Sequence, residues 1–504
     1  MTSKLFRLIV ALAAAILTAA LFAMPSVAAV TVTLTPNIGP PTTMLTVSGA
    51  GFPDSTAVDI YFDTTDVALA VTSSTGAFSA ITIEAPSSAL PGTHWISAVA
   101  RGTTGTAAQS SFTVQTNYTQ FHYSQLHKGK NPYENVLSTT NVGSIDVDWS
   151  YATLGAITSS PAVSGGTLYV GSADDDLYAI NATTGATVWK FHTTNSIVDS
   201  SPAVVNGIVY IGSTDGNLYA VSASTGLQES WSPMKTGAAI NSSPAVFNGV
   251  VYVGSTDHSL YAFNATTGAK LWSAATGNTI LSSPAVYNGV VYVGSYDNSL
   301  YAYNAATGAK LWSYATGGKI FSSPAVSDNV VIVGSEDGSV YGLAAGSTTT
   351  TTATLIWKYT PSGAVSAFDS SPAVSNGVVC IASDAGVIYG LSAKSGGYIW
   401  ELTSTAGGPV GSPTWANGVA YVGIGNQAWA VASIVTAGLY WQGITNSLVT
   451  AAPTVVNGVV YVASQDKSVY AFDLNGSTQV KMPPPRPDPA DLKPDFALTP
   501  SWPR

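Results

Sequence analysis

The chain has 504 residues, room for more than one domain, and its 46% apolar residues can fill their cores. Seventeen Lys and Arg against 27 Asp and Glu give a formal net charge of -10, so no basic stripe can neutralise phosphates and a nucleic-acid partner is excluded. The single cysteine, Cys380, excludes an internal disulfide framework; within GVVCIAS it reads as a small buried hydrophobe.

In residues 1–29, Lys4 and Arg7 precede an apolar run from Leu8 to Phe22, followed by the small residues Val27, Ala28 and Ala29. This is the pattern of a secretory signal peptide. The run is shorter than the roughly 20 residues of a bilayer span, so no membrane span is expected after cleavage. A secreted, extracellular or periplasmic bacterial protein is the expectation. Residues 30–116 hold seven alternating, β-branched runs (VTVTL, MLTVSGAGF, VDIYFD, AVTS, FSAITIEA, HWISAVA and SSFTV) separated by Gly, Pro, Asp and Ser, which predict a small β-sandwich. Its opening, PNIGPPTTMLTVSGAGF, resembles that of IPT/TIG immunoglobulin-like (Ig-like) domains. That resemblance implies a spacer or adhesive unit and carries no functional residue. Residues 117–144, polar with Pro, Gly and Asn, read as a linker.

A repeat then takes over. Pro161, Pro202, Pro244, Pro284, Pro324, Pro372, Pro413 and Pro453 recur at intervals of about 40 residues. Most units read SSPAV, then NGVVYVGS, then LYA, then an Asn or Asp turn with Gly, then Trp, which is four short strands separated by turn chemistry. Such a unit is a propeller blade. Trp149 stands at a unit-ending position before the first SSPAV, whereas the last unit has no Trp of its own. The strand holding Trp149 is therefore expected to complete the blade containing Pro453. The prediction is all-β: an eight-bladed β-propeller over 145–476, closed by its N-terminal strand. Residues 477–504 are Pro-rich and read as an extended, poorly ordered tail.

Ala179, Gly185 and Trp189 recur in spacing as Ala262, Gly268, Trp272 and Ala302, Gly308, Trp312. This pattern resembles the tryptophan-docking motif of the PQQ-type propellers, which include quinoprotein alcohol dehydrogenases and the assembly lipoprotein BamB. The resemblance runs from Phe121 to Gly476. It implies a structural role for Trp149, Trp189, Trp231, Trp272, Trp312, Trp357, Trp400 and Trp441. In the dehydrogenase branch it also implies PQQ with calcium and an adjacent cysteine pair, and this chain departs from that branch by having one cysteine. Its glutamates (Glu84, Glu134, Glu229, Glu336, Glu401) fall away from the inner-strand mouth. No catalytic residue, metal or cofactor is therefore expected. The chain reads as a non-catalytic binding or scaffolding module at the cell envelope, a monomer with a protein or polysaccharide partner. Two alternatives stay open: a PQQ-dependent dehydrogenase of an alcohol or sugar, with Asp199 or Asp369 as base, and an adhesion or carbohydrate-binding protein.

Asp174, Asp215, Asp257, Asp297, Asp337 and Asp466 each lie four residues before the aromatic of an LYA-type strand. They read as hairpin-turn residues rather than metal ligands, as do Asn181 and Asn264 in their turns. A ligand site should instead break the symmetry. Three residues before each repeat Pro stand Thr158, Asp199, Asn241, Leu281, Phe321, Asp369, Val410 and Thr450, a variable column. The preceding column (Ile157, Val198, Ile240, Ile280, Ile320, Phe368, Pro409, Val449) is apolar throughout and predicted to pack. The variable column is expected to line one mouth of the central channel, with Asp199, Asn241, Phe321 and Asp369 as the candidate ligand residues.

Overall fold

The computed structural model describes residues 29–103, 105–363, 366–404, 408–431, 436–474, 483–494, 498 and 500–501. Apart from Ala29, the expected signal peptide lies outside them. The chain divides into two compact units, 1–114 with 483–504, and 115–482.

In the first unit the alternating runs form β1 (Thr31–Thr35), β2 (Ile38–Gly39), β3 (Met44–Ala50), β4 (Ala57–Phe62), β5 (Thr65–Val71), β6 (Phe78–Glu84), β7 (Gly92–Ala100) and β8 (Ala107–Val114). They make two sheets, β1-β3-β6 and β2-β8-β7-β4-β5, the second extended beyond β5 by the two residues Pro500–Ser501. Period-2 alternation aims Leu45, Val47, Ile81 and Ile83 from one sheet and Ile60, Ile96, Ala98 and Phe112 from the other into one core. Within the described part of the Pro-rich tail, read as extended and poorly ordered, residues 486 and 487 have partners in this unit. Proline cannot donate to a ladder, but carbonyls and Arg486 can still engage. The Arg486 guanidinium lies 4.5 Å from the Trp95 ring centre and its Nε donates to Gln109 Oε1 at 2.6 Å, while Gln109 Nε2 donates to the Pro487 carbonyl at 2.8 Å.

The second unit is the propeller. Among the described residues, seven sets of four consecutive strands take up 162–192, 203–235, 245–275, 285–315, 325–359, 373–403 and 414–444, and a set of three takes up 454–473, here blades 1 to 8. Blade 8 has three strands of its own, and its fourth is β10 (Asp146–Ala152), which pairs antiparallel from Asp146↔Asp473 to Ala152↔Ser468. The ends of the ring are thus joined by a ladder, as the unmatched Trp149 requires.

Neighbouring blades are tied by the tryptophans. Trp149, Trp189, Trp272 and Trp357 donate from Nε1 to the carbonyls of Ala182, Ala223, Ala305 and Ala393, each in the next blade, at 3.0–3.3 Å. Trp441 does the same to Ile145 at 3.0 Å, ahead of the closing strand. The rings of Trp149, Trp189, Trp272 and Trp357 lie over the turn glycines Gly185, Gly226, Gly308 and Gly396 of the next blade. A Cβ on Gly308 would fall 2.7 Å from the Trp272 ring, and its φ of +72° already favours glycine. Three positions depart from the repeat, among them Trp400, whose Nε1 has no acceptor among the described residues. Trp231 sits in a turn ahead of a two-residue fourth strand, Met234–Lys235, because blade 2 carries one more residue there and Pro233 offers no N–H. Trp312 Nε1 has no acceptor among the described residues, since blade 5 replaces the docking turn with the Thr-rich loop between Ser339–Ala344 and Leu355–Tyr359.

The aspartate column is a set of staples. Asp257 accepts from Gly237 N at 2.6 Å, Ser259 N at 2.9 Å and Tyr261 Oη at 2.6 Å, so one carboxylate ties the incoming connection, the turn and the third strand. Asp174, Asp297, Asp337 and Asp466 repeat the arrangement, and Asp215 does so with the Thr194 hydroxyl in place of the connection's amide. Asp257→Ala strands three donors and is expected to cost about 1–3 kcal/mol, read as a shift of the urea midpoint at unchanged slope.

The supposed linker is structural. Each inner strand is three residues long and turns one free edge to the axis, where backbone donors need acceptors. The segment from Tyr118 to Asn131 crosses the end of the channel and engages all eight inner strands in turn. Val163, Val204, Val286, Val326, Val374 and Trp415 donate to the carbonyls of Tyr118, Thr119, Gln125, Leu126, Lys128 and Gly129 at 2.6–2.9 Å. Val246 donates to the Gln120 side chain at 2.8 Å, and Asn131 Nδ2 donates to the Val455 carbonyl at 2.9 Å. Here β9 (Lys130–Asn131) adds a parallel strand to blade 7. Polar composition suggested a linker because the segment's partners are backbone groups far away in sequence.

Candidate functional site

The SSP of the first six repeats, with GSP in the seventh and AAP in the eighth, builds the wall of the channel. The first serine accepts through Oγ from the second strand of its own blade, as Ser200 does from Gly212 N at 2.9 Å. The second serine accepts from the backbone of the preceding blade. Ser160, Ser201, Ser243, Ser283, Ser323 and Ser371 each donate N–H to the hydroxyl of the next blade's serine, and Ala452 donates to Ser160, all at 2.8–2.9 Å. Ala452 has no hydroxyl to continue the circle. This nearly complete ring holds the inner strands at fixed spacing around the axis.

Inside it lies a cavity of about 530 Å³, floored by Phe121 of the axial segment. All eight members of the variable column line it: Thr158, Asp199, Asn241, Leu281, Phe321, Asp369, Val410 and Thr450. Their blades follow one another around the ring, so Asp199 in blade 2 and Asp369 in blade 6 stand on opposite sides of the axis.

The packed column holds for Ile157, Ile240, Ile280, Ile320, Phe368 and Val449, each fully buried. It fails at two places. In blade 2 the buried residue is Ile197, not Val198, because that incoming connection is one residue longer. The extra residue is absorbed in a tight turn: Ser200 N donates to the Val198 carbonyl at 2.8 Å and Asp199 is held at φ +62°. In blade 7 Pro409 is exposed and Val410 takes the core position, since a proline cannot make the backbone bond used in the other blades.

Three carboxyls face the cavity. Asp199 receives hydrogen bonds from Asn241 and, through its own N–H, holds Thr158 Oγ1 at 2.9 Å. Burial nevertheless outweighs the help of Thr158 and Asn241 and raises its pKa. Asp369 is pushed up to about 7, first by burial and then by the negative charges of Asp384 and Glu336, with Lys319 opposing. Asp384 is also raised, by burial first. One oxygen of Asp369, Oδ1, is buried with no hydrogen-bond partner among the described residues. Lys319 is 3.7 Å from Glu336 and sits over the Tyr296 ring at 4.9 Å.

The four residues expected at the site, Asp199, Asn241, Phe321 and Asp369, are thus brought together on one cavity. Sequence reasoning missed Asp384, Gln465 and Phe121. Asp384 and Gln465 belong to a second variable column at the turn between second and third strands, one residue before the aspartate staples. In blade 6 the staple itself is missing, replaced by Ala385, which was the available signal. Cys380 is fully buried in the second strand of blade 6, and burial raises its thiol pKa well above the usual range. Among the described residues, no helix is long and apolar enough to cross a membrane.

No curated protein matches the chain significantly. Among solved structures, BamB from Moraxella catarrhalis superposes with a TM-score of 0.56 at 16% identity, covering 65% of this chain and 99% of its own. The quinohemoprotein alcohol dehydrogenase from Comamonas testosteroni gives 0.60 at 16% identity, covering 73% and 82%. A computationally designed protein, Ika8, gives 0.56 at 18% identity, covering 64% and 97%. An assembly factor, an enzyme and a designed protein share this architecture, so the likeness speaks for fold alone. The profile of one sequence family matches residues 93–239, 228–384, 347–442 and 384–480. With the repeats, the docked tryptophans and this match over most of its length, the chain belongs to the family described as outer membrane protein assembly factor BamB.

Proposed function

We propose that this protein is an extracytoplasmic, non-catalytic binding propeller that engages a protein or polysaccharide partner at the cell envelope through the open end of its axial cavity. The observation that carries the reading is the contrast between scaffold and lining. The serine ring, the tryptophan docking and the aspartate staples repeat from blade to blade, while the side chains facing the cavity differ in nearly every blade. Packing requires the first set and is indifferent to the second. The signal-peptide pattern of residues 1–29 supports an extracytoplasmic site of action, and the sandwich is read as an Ig-like spacer.

The quinone cofactor of the dehydrogenases does not fit the cavity's residues. PQQ carries three carboxylates and calls for cationic partners. The lining offers Asp199, Asp369 and Asp384 and, among the described residues, no Lys or Arg. Burial raises the pKa of both Asp369 and Asp384, the charge of Asp384 raises Asp369 further, and an anion placed between them would be repelled.

The test compares the natural chain with Asp199→Ala/Asn241→Ala/Asp369→Ala as bait in crosslinked envelope fractions. Capture should fall at least tenfold with the thermal midpoint retained. Equal capture by the two baits moves the binding surface elsewhere. Titration with PQQ and calcium should show no stoichiometric uptake, and uptake with dye-linked alcohol oxidation would overturn the non-catalytic reading.

A further inference from the structure

We infer that the axial cavity is a receptor for a small two-headed organic cation of the diamine class, whose ammonium groups are taken by Asp199 on one wall and by Asp369 with Asp384 on the other. The inference rests on the reading of the cavity as the ligand site and names the chemistry of what enters it.

Charge comes first. Three carboxyls face one cavity, and no Lys or Arg lines it among the described residues. Lys319, whose charge reaches Asp369 from outside the lining, is engaged with Glu336 and the Tyr296 ring. A neutral ligand would add no charge to offset these groups, whereas an ammonium group adds one and supplies three donors. Asp369 Oδ1, buried and without a hydrogen-bond partner among the described residues, is an acceptor suited to such a donor.

Placement comes second. In a ring of eight, blades 2 and 6 are four apart in either direction, so the two acidic positions face each other across the axis. Two separated anionic sites match two separated cationic heads. Between them the wall is apolar on one side, with Leu281 and Phe321, and the floor is the Phe121 ring. A methylene chain can lie there, and the aromatic faces favour a nearby cation. A metal ion suits the arrangement less well, because no group of three or more ligating side chains converges among the described residues.

Isothermal titration of the full chain with 1,6-diaminohexane, hexylamine and hexane-1,6-diol tests this, since the three differ in charge and hardly in shape. The diamine is expected to bind at least tenfold more tightly than hexylamine, and the diol not measurably. Asp199→Asn and Asp369→Asn, which keep side-chain shape, should each weaken the diamine at least fivefold and remove its advantage over hexylamine. Equal binding of diamine and diol overturns the inference, as does equal binding of diamine and hexylamine, or no binding of any probe. The selectivity on the unaltered chain stands even if a variant fails to fold. Diol binding lost in Asp369→Asn would keep the cavity as a ligand site while refuting its cation preference. Diamine binding together with undiminished partner capture by the triple alanine chain would refute the partner-binding reading alone.

Discussion

Proline at Ser150 or Tyr151 in the closing strand is expected to open the propeller in one case and leave it nearly intact in the other. The strand β10 lies at the outer edge of blade 8, paired on one side only, through Ser150↔Tyr470 and Tyr151↔Val469. In an antiparallel ladder successive N–H groups alternate between the partner and the outside. One of the two prolines therefore removes a ladder hydrogen bond and the other does not. The lost bond costs about 1–3 kcal/mol. The larger cost follows from what the strand carries. Trp149 docks on blade 1 and Trp441 on the carbonyl of Ile145, so a displaced β10 breaks both contacts that seal the ring. Each tryptophan side chain buries on the order of 150–250 Å², worth a few kcal/mol at about 25 cal/mol per Å². The sensitive variant should lose a third or more of its urea midpoint and become cleavable by protease near β10. If both variants stay within about 1 kcal/mol of the natural chain, closure by this ladder does not hold the ring together.

The second large effect is a dependence of stability on pH set by two opposed groups near the axis. His122 and His127 in the axial segment are each 1% exposed, and both nitrogens of His122 and Nδ1 of His127 lack a hydrogen-bond partner among the described residues. Burial lowers His122 to about 4 against the weaker pull of the His127 and Pro372 backbones. It lowers His127 to about 3, with the neighbouring His122 acting in the same direction. In the unfolded chain both take up a proton near 6.5. Between about 4 and 6.5 the unfolded state therefore binds more protons, and stability falls as the pH drops through that window. The loss for His122 is on the order of 3 kcal/mol when complete.

Asp369 works the other way. Its pKa in the fold is raised to about 7, so the folded state holds the extra proton between the ordinary carboxylate range and 7, and stability falls as the pH rises. The natural chain should show a flattened profile, with the two contributions separable by substitution. Denaturation midpoints at pH 7.5 and 4.5 should show a smaller acid loss in His122→Phe/His127→Leu. Asp369→Asn should be more stable than the natural chain at pH 7.5, as expected of a residue kept for a ligand rather than for packing. Unchanged differences between the two pH values in both variants would contradict this account. The staples titrate lower. Burial tends to raise Asp174 and Asp337, but the hydrogen bonds of Tyr178, Ser172 and the Leu154 and Asp176 amides on the first, and of Tyr341 and the Gly317 and Ser339 amides with the Lys358 charge on the second, together outweigh it and hold both below the ordinary range. Their contribution is present above that range and is lost as the pH falls below it.

The ring itself was legible because its reasons are local. SSPAV and NGVVYVGS carry strand and turn chemistry within a few residues, and a period repeated eight times leaves little choice of architecture. The variable column was legible for the same reason, since alternation along an inner strand decides which side chains face the axis. At Val198 alternation misled, because one inserted residue shifts the register and nothing in the strand marks where the chain absorbs it. Asp384 escaped notice because a turn column was read only for the aspartates that repeat, not for the neighbours that vary.

The amino-acid sequence by itself determined the number of blades, their four-strand make-up, the borrowed closing strand and the column of side chains facing the axis. These follow from periodicity, turn residues and the count of prolines against tryptophans. Only the tertiary structure decided that residues 118–131 seal one end of the channel, that Arg486 lies on Trp95, and that Asp199 faces the pair Asp369 and Asp384 across a shared cavity. Those arrangements depend on backbone donors and charges far apart along the chain, which are brought together when the ring closes and leave no periodic trace in the sequence.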